Sequence, residues 1–316
     1  MVEWSAKTRV LALCLTGLLG HAGCIGPDDE AAGLEPSVDE ASQAIRGSRV
    51  SFNGDVSADL LWREQGTGNM FIWVMQGLSL AGTMTLPALS PSFTVQAASD
   101  FGGPSTAPDL VYHATAPGSD AVRFLSSTAT VLGQAALEDL RPTSSWYVAA
   151  SGDFNQDNRT DLVLHNRDTG QYFYRYMNGT TSLGNSAIAY RPLPWHIVGA
   201  VDLSRDNRTD LIWRNKSTGQ NEVTVMNNLA VLSTVALPSL PLNFYLGATS
   251  DYSSDAHVDL VWHNPVTGQV MLWWMGATTV GSAHTLGTMG SNCPTWFSQS
   301  TPPPTAYGCR YLVGPR

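Results

Sequence analysis

Along most of this chain, hydrophobic and polar residues alternate in short runs. Gln171-Tyr-Phe-Tyr-Arg-Tyr-Met177 is one example, and its period of two predicts a strand with one face in a core. Brief, continuously apolar runs stand beside such segments. Trp146-Tyr-Val-Ala-Ala150 and Leu162-Val-Leu-His165 are two of them, and they predict strands covered on both faces. Turn signals separate the runs, among them Asp168-Thr-Gly170 and Asn178-Gly179, the second a strong hairpin signal. Ser182 to Ala189 supplies a fourth strand before Trp195 restarts the cycle. No stretch has the 3.6-residue period of a long amphipathic helix.

The pattern repeats. Asp153-Phe-Asn-Gln-Asp-Asn-Arg-Thr-Asp161-Leu162 places oxygen-bearing side chains on alternate residues ahead of an apolar run. Asp202 to Leu211 and Asp251 to Leu260 do the same, with weaker copies at Ser51 to Leu60 and Asp100 to Asp109. The closing aspartates are 59, 109, 161, 210 and 259, so the steps are 50, 52, 49 and 49. A Thr-Gly turn recurs at Thr67-Gly68, Thr218-Gly219 and Thr267-Gly268. A methionine recurs at Met75, Met177, Met226 and Met275, with Leu125 in its place in the second unit. Four antiparallel strands per unit at a fixed period describe a β-propeller blade, and the count gives about five blades. Small residues at Ala97-Ala98, Ala149-Ala150, Gly199-Ala200 and Gly247-Ala248 mark the restarting strand as innermost, because blades converge on an axis with little room for side chains.

Aromatic residues open that strand at Phe93, Trp146, Trp195, Phe244 and Trp296. The first unit has Ala44 at the matching place, and the C-terminus has a spare strand, Thr295 to Ser300. The expectation is a ring closed by exchange, with the C-terminal strand completing blade one and covering exposed sheet edges. Ile45 to Val50 is the alternative source of that strand.

Composition adds the setting. Charged residues are 14% of the chain, and Gly, Trp and Tyr are plentiful, which suits a turn-rich β fold. Residues 1–23 read as a signal peptide: Lys7 and Arg9 precede an apolar run from Val10 to Leu19 that is too short to span a bilayer. Gly20-His-Ala-Gly-Cys24 resembles a bacterial lipobox with Cys24 as the lipid-bearing residue, although His21 departs from the usual aliphatic residue. Cleavage after Ala22 is the alternative. Residues 24–44 are acidic, poor in large apolar groups and read as a disordered linker, which leaves residues 45–316 for the propeller. The expected location is therefore outside the cell, either as an outer-membrane or cell-surface lipoprotein, touching membrane only through Cys24, or free. Cys293 and Cys309 form an even pair in an exported chain, and a disulfide is expected between them. The formal net charge is −9 and Lys216 is the one lysine beyond the signal, so the basic footprint of a nucleic-acid binder is missing.

Calcium is the cofactor these loops suggest. Ca²⁺ takes six to eight hard oxygens from a flexible loop. Places 1, 3, 5 and 9 offer side chains and place 7 a carbonyl. The sets are Asp153, Asn155, Asp157, Arg159 and Asp161; then Asp202, Ser204, Asp206, Arg208 and Asp210; then Asp251, Ser253, Asp255, His257 and Asp259. Serine at place 3 predicts weaker binding in the last two. The sixth place calls for a left-handed turn, which Asn158 and Asn207 tolerate better than Ala256. The alternative is that the aspartates only cap their own turns.

The aromatics offer a second chemistry. Trp62, Trp213 and Trp262, with Tyr112, match one another after the acidic loops, and Trp73, Trp273 and Trp274 crowd the third strand. Indole faces suit stacking on sugars, with Arg63, His113, Arg214, Asn215, His263 and Asn264 as hydrogen-bonding neighbours; packing of blade on blade is the competing role. Seven histidines are scattered singly, and neither a zinc motif nor a nucleophile elbow is present, so catalysis is not expected.

The sequence Asp-Phe-Asn-x-Asp-x-x-x-Asp-Leu, followed by Thr-Gly-Gln and an aromatic strand ending Met-Asn-Gly, resembles the bacterial FG-GAP/VCBS repeat over about residues 51–290. That resemblance implies a β-propeller of the integrin alpha N-terminal type, usually with seven blades, and a non-catalytic role in adhesion, carbohydrate binding or spacing. Lectin propellers are a looser resemblance. The expected function is a calcium-stabilised surface or secreted module, a monomer, that binds a glycan or a surface protein. A secreted hydrolase or lyase on the same scaffold, or a passive spacer, are the alternatives.

Overall fold

The computed structural model describes residues 50–64, 67–114, 120–137, 145–188, 191–288 and 310–313. The signal and linker segments, Cys24, Cys293 and Cys309 lie outside them, and so does Thr295 to Ser300. Among the described residues every regular element is a strand. Blade one holds β1 (Leu60–Glu64), β2 (Met70–Gln76) and β3 (Ser79–Leu86). Blade two holds β4 (Phe93–Ser99), β5 (Asp109–Ala114), β6 (Ala121–Leu125) and β7 (Val131–Ala136). Blade three holds β8 (Trp146–Gly152), β9 (Asp161–Asn166), β10 (Tyr172–Asn178) and β11 (Thr181–Ala187). Blade four holds β12 (Trp195–Val201), β13 (Asp210–Asn215), β14 (Asn221–Asn227) and β15 (Ala230–Leu237). Blade five holds β16 (Tyr245–Ser250), β17 (Asp259–His263), β18 (Gln269–Gly276) and β19 (Thr279–Thr288). Each is an antiparallel sheet in chain order, and the missing strand of blade one is supplied by β20 (Arg310–Val313).

Closure by the C-terminus is therefore observed, but with a different donor strand from the one the sequence suggests. Arg310 pairs with Glu64 and Val313 with Leu61. Tyr311-Leu312-Val313 is a proline-free run of strand formers, whereas Pro302 to Pro304 border the other candidate. Val50 does not act as a strand. Its N–H donates to Ser250 Oγ across the seam (3.2 Å), and its carbonyl accepts from Asp59 N (2.8 Å). The inner strands touch in the order β20, β4, β8, β12, β16 and back to β20, a closed ring of five.

The core lies between blades, in five buried clusters that each draw on two neighbours. Leu60, Trp62 and Met75 of blade one pack with Val261, Val270 and Leu272 of blade five. Val198 and Ile212 of blade four meet Leu246, Trp262 and Trp273 of blade five. Each inner strand of blades two to five carries a register shift, and the residue after it is small: Ala97, Ala150, Gly199 or Ala248. A Cβ on Gly199 would stand 2.9 Å from Leu246 Cδ2 of the next blade, which is why a small residue is needed there. The outer strands also bulge, and their extra residues include the exposed Leu132, Leu183 and Leu232. Bulges on edge strands discourage pairing with another chain.

Candidate functional site

In blades two to five the acidic loops join the innermost strand to the second strand, and in blade one the loop leads into the second strand, β1, whose inner neighbour is β20. Their backbone is the same in blades three, four and five. The fourth and sixth places are left-handed: Gln156 and Asn158, Arg205 and Asn207, Ser254 and Ala256, all with φ between 61° and 64°. Sequence reasoning anticipates the sixth place and misses the fourth. These two turns curl the loop around the carboxylate at place 1. Asp153 accepts from the N–H groups of Gln156 (2.7 Å), Asp157 (3.2 Å) and Asn158 (3.0 Å). Asp202 accepts from Asp206 and Asn207, and Asp251 from Asp255 and Ala256. The carboxylate at place 5 takes the N–H of place 7, and the side chain of place 7 turns back on it: Arg159 on Asp157, Arg208 on Asp206 and His257 on Asp255. The sequence assigns only the carbonyls of those three residues, and the side chains of Arg159 and Arg208 add positive charge at the loop rim.

The closing aspartate has a role common to all five blades. One oxygen accepts from the loop residue after place 1, and the other from the third strand. For Asp161 these are Phe154 N (3.2 Å) and Met177 N (2.8 Å). For Asp59 they are Phe52 N and Met75 N, for Asp210 Leu203 N and Met226 N, and for Asp259 Tyr252 N and Met275 N. Asp109, whose loop keeps only Asp100 of the other acids, does the same with Phe101 N and Leu125 N, both at 3.1 Å. The reason lies in the ladder. Second and third strands stop pairing at Leu162 with Arg175 and at the matching pairs elsewhere. Two residues on, the third strand has a buried N–H with no strand beside it, and a buried amide needs an acceptor. The carboxylate supplies one. The recurring methionine, or Leu125, is fixed by that bond and fills the core at 0–3% exposure.

These carboxyls are buried, and burial raises their proton affinity: Asp161 to about 7, Asp109 and Asp210 to about 6, with Asp59 and Asp259 also raised. At Asp161 the neighbouring charges of Asp157 and Asp153 add to the effect. As the side chains stand, no group of three His, Cys, Asp or Glu among the described residues gathers into a metal centre; the oxygens are turned to amides. The donor chemistry nevertheless suits a hard divalent cation. Asp161 uses two of its roughly four acceptor positions on amides. Ser204 Oγ and Ser253 Oγ, at place 3 of their loops, are buried without a hydrogen bond of normal geometry, although each lowers the proton affinity of the closing aspartate beside it. A buried hydroxyl beside carboxylates fits a cation ligand.

Neighbouring loops are also tied to one another. Thr160 Oγ1 donates to the Asp100 carbonyl (2.5 Å) and Thr209 Oγ1 to the Asp153 carbonyl (2.9 Å). At the seam, the wholly buried Tyr252 donates to the Asp59 carbonyl (3.3 Å).

The aromatic candidates divide. Trp62, Trp213, Trp262 and Trp273 are at most 3% exposed and pack between blades, so they have no face for a ligand. Trp73 and Trp274 are half-buried. Their polar neighbours are spent on the fold. Arg63 donates to the carbonyls of Leu89 (3.1 Å) and Ser90 (2.9 Å), and Arg214 to those of Gly219, Leu240 and Pro241. Both clasp the connection to the next blade. Asn215 and Asn264 cap the Thr-Gly turns. A visible signal was available: Arg63, His113, His165, Arg214 and His263 all stand four residues after the closing aspartate.

Two of the histidines at that place, His165 and His263, are buried and held neutral. His165 bonds Tyr147 OH (2.6 Å) and stacks on Tyr172 at 4.0 Å. Burial pushes His165 and His196 down to about 3 and His263 to about 4. Unfolded histidine binds a proton below about 6.5, so the fold loses stability as pH falls from there towards those values. His263, edge-on to Trp62 at 5.3 Å, isolates the effect. The wild type should lose about 1.4 kcal/mol more than His263→Phe per pH unit between about 6 and 4, read from denaturant melts; parallel curves would show that His263 is not buried neutral.

A family model described as an FG-GAP-like repeat matches residues 153–213, which span the acidic loops of blades three and four and the strands between them. The same clamp and ladder recur in all five blades. The chain is a five-bladed β-propeller with an FG-GAP-like repeat at residues 153–213. No curated protein matches the sequence of this propeller. Among solved structures it is similar to an Agrocybe aegerita lectin, described by its recognition of non-reducing terminal N-acetylglucosamine. The identity is 12% and the TM-score 0.39, over 69% of this chain, which spans 56% of that one. It is also similar to a Bacteroides caccae protein of unknown function (10% identity, 72% of each chain, TM-score 0.37) and to the Dos1 propeller (9% identity, 79% of this chain and 67% of that one, TM-score 0.32).

Proposed function

We propose that this propeller is a non-catalytic, calcium-stabilised binding module that acts outside the cell, secreted or held at the surface through Cys24, on a carbohydrate or protein ligand. One observation carries the non-catalytic part. The chain's densest chemistry, the acid-rich loops, is committed to holding backbone: each closing carboxylate bonds two amides, in every blade. Groups held in this way support a rigid scaffold. Calcium would be held by Asp153, Asn155, Asp157, the Arg159 carbonyl and Asp161, and by the matching sets at 202–210 and 251–259. When bound it supplies positive charge to loops whose buried carboxyls are otherwise driven towards their protonated forms.

Two measurements test this reading. Calcium in hundredfold excess over its dissociation constant adds about 2.7 kcal/mol per site, or about 5–10 °C at the melting point, and chelator should reverse it. Equal melting points with and without chelator would remove calcium from the proposal. A broad glycan array and a cell-surface binding assay, both with calcium present, test the binding role. Silence in both from folded protein would overturn it, and turnover of a polysaccharide would overturn its non-catalytic character.

A further inference from the structure

Blade three carries a groove of about 650 Å³ at the end away from its acidic loop, lined by Trp146, Gln171, Tyr172, Phe173, Asn185 and Ser186. Its volume lies within the roughly 300–1,000 Å³ common for small-molecule sites. The Trp146 and Phe173 rings meet 4.6 Å apart at 52°; Trp146 is buried behind the corner and the half-buried Phe173 presents its open face. The polar part of the lining is uncommitted. Among the described residues, the side chains of Asn185 and Ser186 make no hydrogen bond, and Gln171 only accepts one, from Thr169 Oγ1 (3.3 Å). Among the described residues that line the groove there is no carboxylate, lysine or arginine. Arg175 lies 5.5 Å from the Phe173 ring centroid, is tied to Ser182 Oγ and stands outside the lining.

Blade four shows what such a corner accepts. Trp195 stands where blade three has Trp146, and Glu222 where it has Phe173. There the corner is filled from within: the Arg191 guanidinium lies 4.1 Å from the centroid of the Trp195 ring and 5.0 Å from that of Trp213, and pairs with Glu222. A flat group with hydrogen-bonding edges thus rests on the indole. Phe173 cannot hold an arginine by charge, and it adds a second apolar wall instead.

We infer that the blade-three groove is a saccharide subsite, in which an uncharged pyranose ring lays its C–H face on the half-buried Phe173 and turns its hydroxyls to Gln171 and Asn185, which stand on the same face of the sheet. This rests on the binding-module reading above and gives it a place and a ligand class. The uncharged lining disfavours acidic or basic ligands, because a buried charge without a partner is costly. The open, amide-edged wall suits a ligand that stays partly solvated.

The test uses the full mature chain on a glycan array, with wild type, the double variant Gln171→Ala/Asn185→Ala, and Asn185→Trp. Gln171 and Asn185 are exposed, so both variants should melt with the wild type. The inference expects wild-type binding to an uncharged glycan, a loss of about tenfold or more in the double variant through two missing hydrogen bonds, and a comparable loss in Asn185→Trp, whose indole fills the groove. If wild type and both variants bind glycan equally, the groove is the wrong place while the binding-module reading stands. If folded wild type is silent on every uncharged saccharide, the subsite is overturned, together with the carbohydrate arm of that reading.

Discussion

Asp109→Ala is expected to destabilise the ring by about 3 kcal/mol or more, and Asp161→Ala by a similar amount in the presence of chelator. Each change removes the acceptor of two amide N–H groups, and an unsatisfied buried donor costs about 1–3 kcal/mol. For a domain of this size the loss corresponds to a fall of about 6–12 °C in melting temperature. The comparison matters more than either value. Asp109 sits in the loop that keeps only Asp100 of the other calcium-type ligands, so a metal-only role predicts a neutral Asp109→Ala and a costly Asp161→Ala only when calcium is present. A clamp role predicts equal costs without calcium. The gap for Asp109 is to be read at about pH 5, below the value of about 6 to which burial lifts its carboxyl. Stability conferred by a raised carboxyl is complete below its unfolded value, near 4, and is lost as pH rises through its folded one, so the gap narrows towards neutrality.

This clamp marks the boundary of what the sequence discloses. The period of the closing aspartates, the alternation in the third strands and the small residues beside the axis are direct consequences of blade geometry, and they were legible because every blade repeats them. The purpose of the carboxylates was less so. A side chain that accepts two amides and one that ligates a cation call for the same residue at the same spacing, and only the ladder's end at Leu162 and Arg175 shows which amide is waiting. The ring-closing strand was misplaced for a related reason. Pairing of Arg310 to Val313 with β1 joins residues some 250 positions apart, and no local pattern fixes a partner at that distance; Thr295 to Ser300 merely has the more blade-like aromatics. Arg63 and Arg214 read as hydrogen-bonding neighbours of a stacked sugar because arginine is usually exposed, whereas the carbonyls that justify their burial come from connections that fold back only once the next blade is in place. Trp62 and Trp262 were offered as ligand platforms; a propeller with five wedge-shaped gaps needs large rings to fill them, and both are fully buried.

Gly219→Ala should be among the most damaging small substitutions in the chain, at about 4 kcal/mol or more, while Gly170→Ala at the matching turn of blade three costs about 1–2. Both glycines are left-handed, at φ 77° and 73°, and share the penalty of placing a Cβ there. They differ in what approaches. A Cβ on Gly219 would stand 2.0 Å from the Leu240 carbonyl oxygen, but on Gly170 it meets the Leu193 side chain at 3.2 Å. A leucine side chain can turn away. The Leu240 carbonyl cannot do so cheaply, because it accepts from the buried Arg214 (3.2 Å) while Leu240 N donates back to Gly219 O (2.9 Å). Burial already pulls Arg214 down to about 10, and moving the connection would strip bonds from a buried cation, which is strongly destabilising. Gly68, at 1.8 Å from the Leu89 oxygen and beside Arg63, should behave like Gly219. Thermal melts of the three alanine variants decide the matter: a fall of roughly 8–16 °C for Gly219 and Gly68 against a few degrees for Gly170 locates the rigidity in the arginine clasp. Three equal falls would mean that the connection yields freely and that only the left-handed turn resists a side chain.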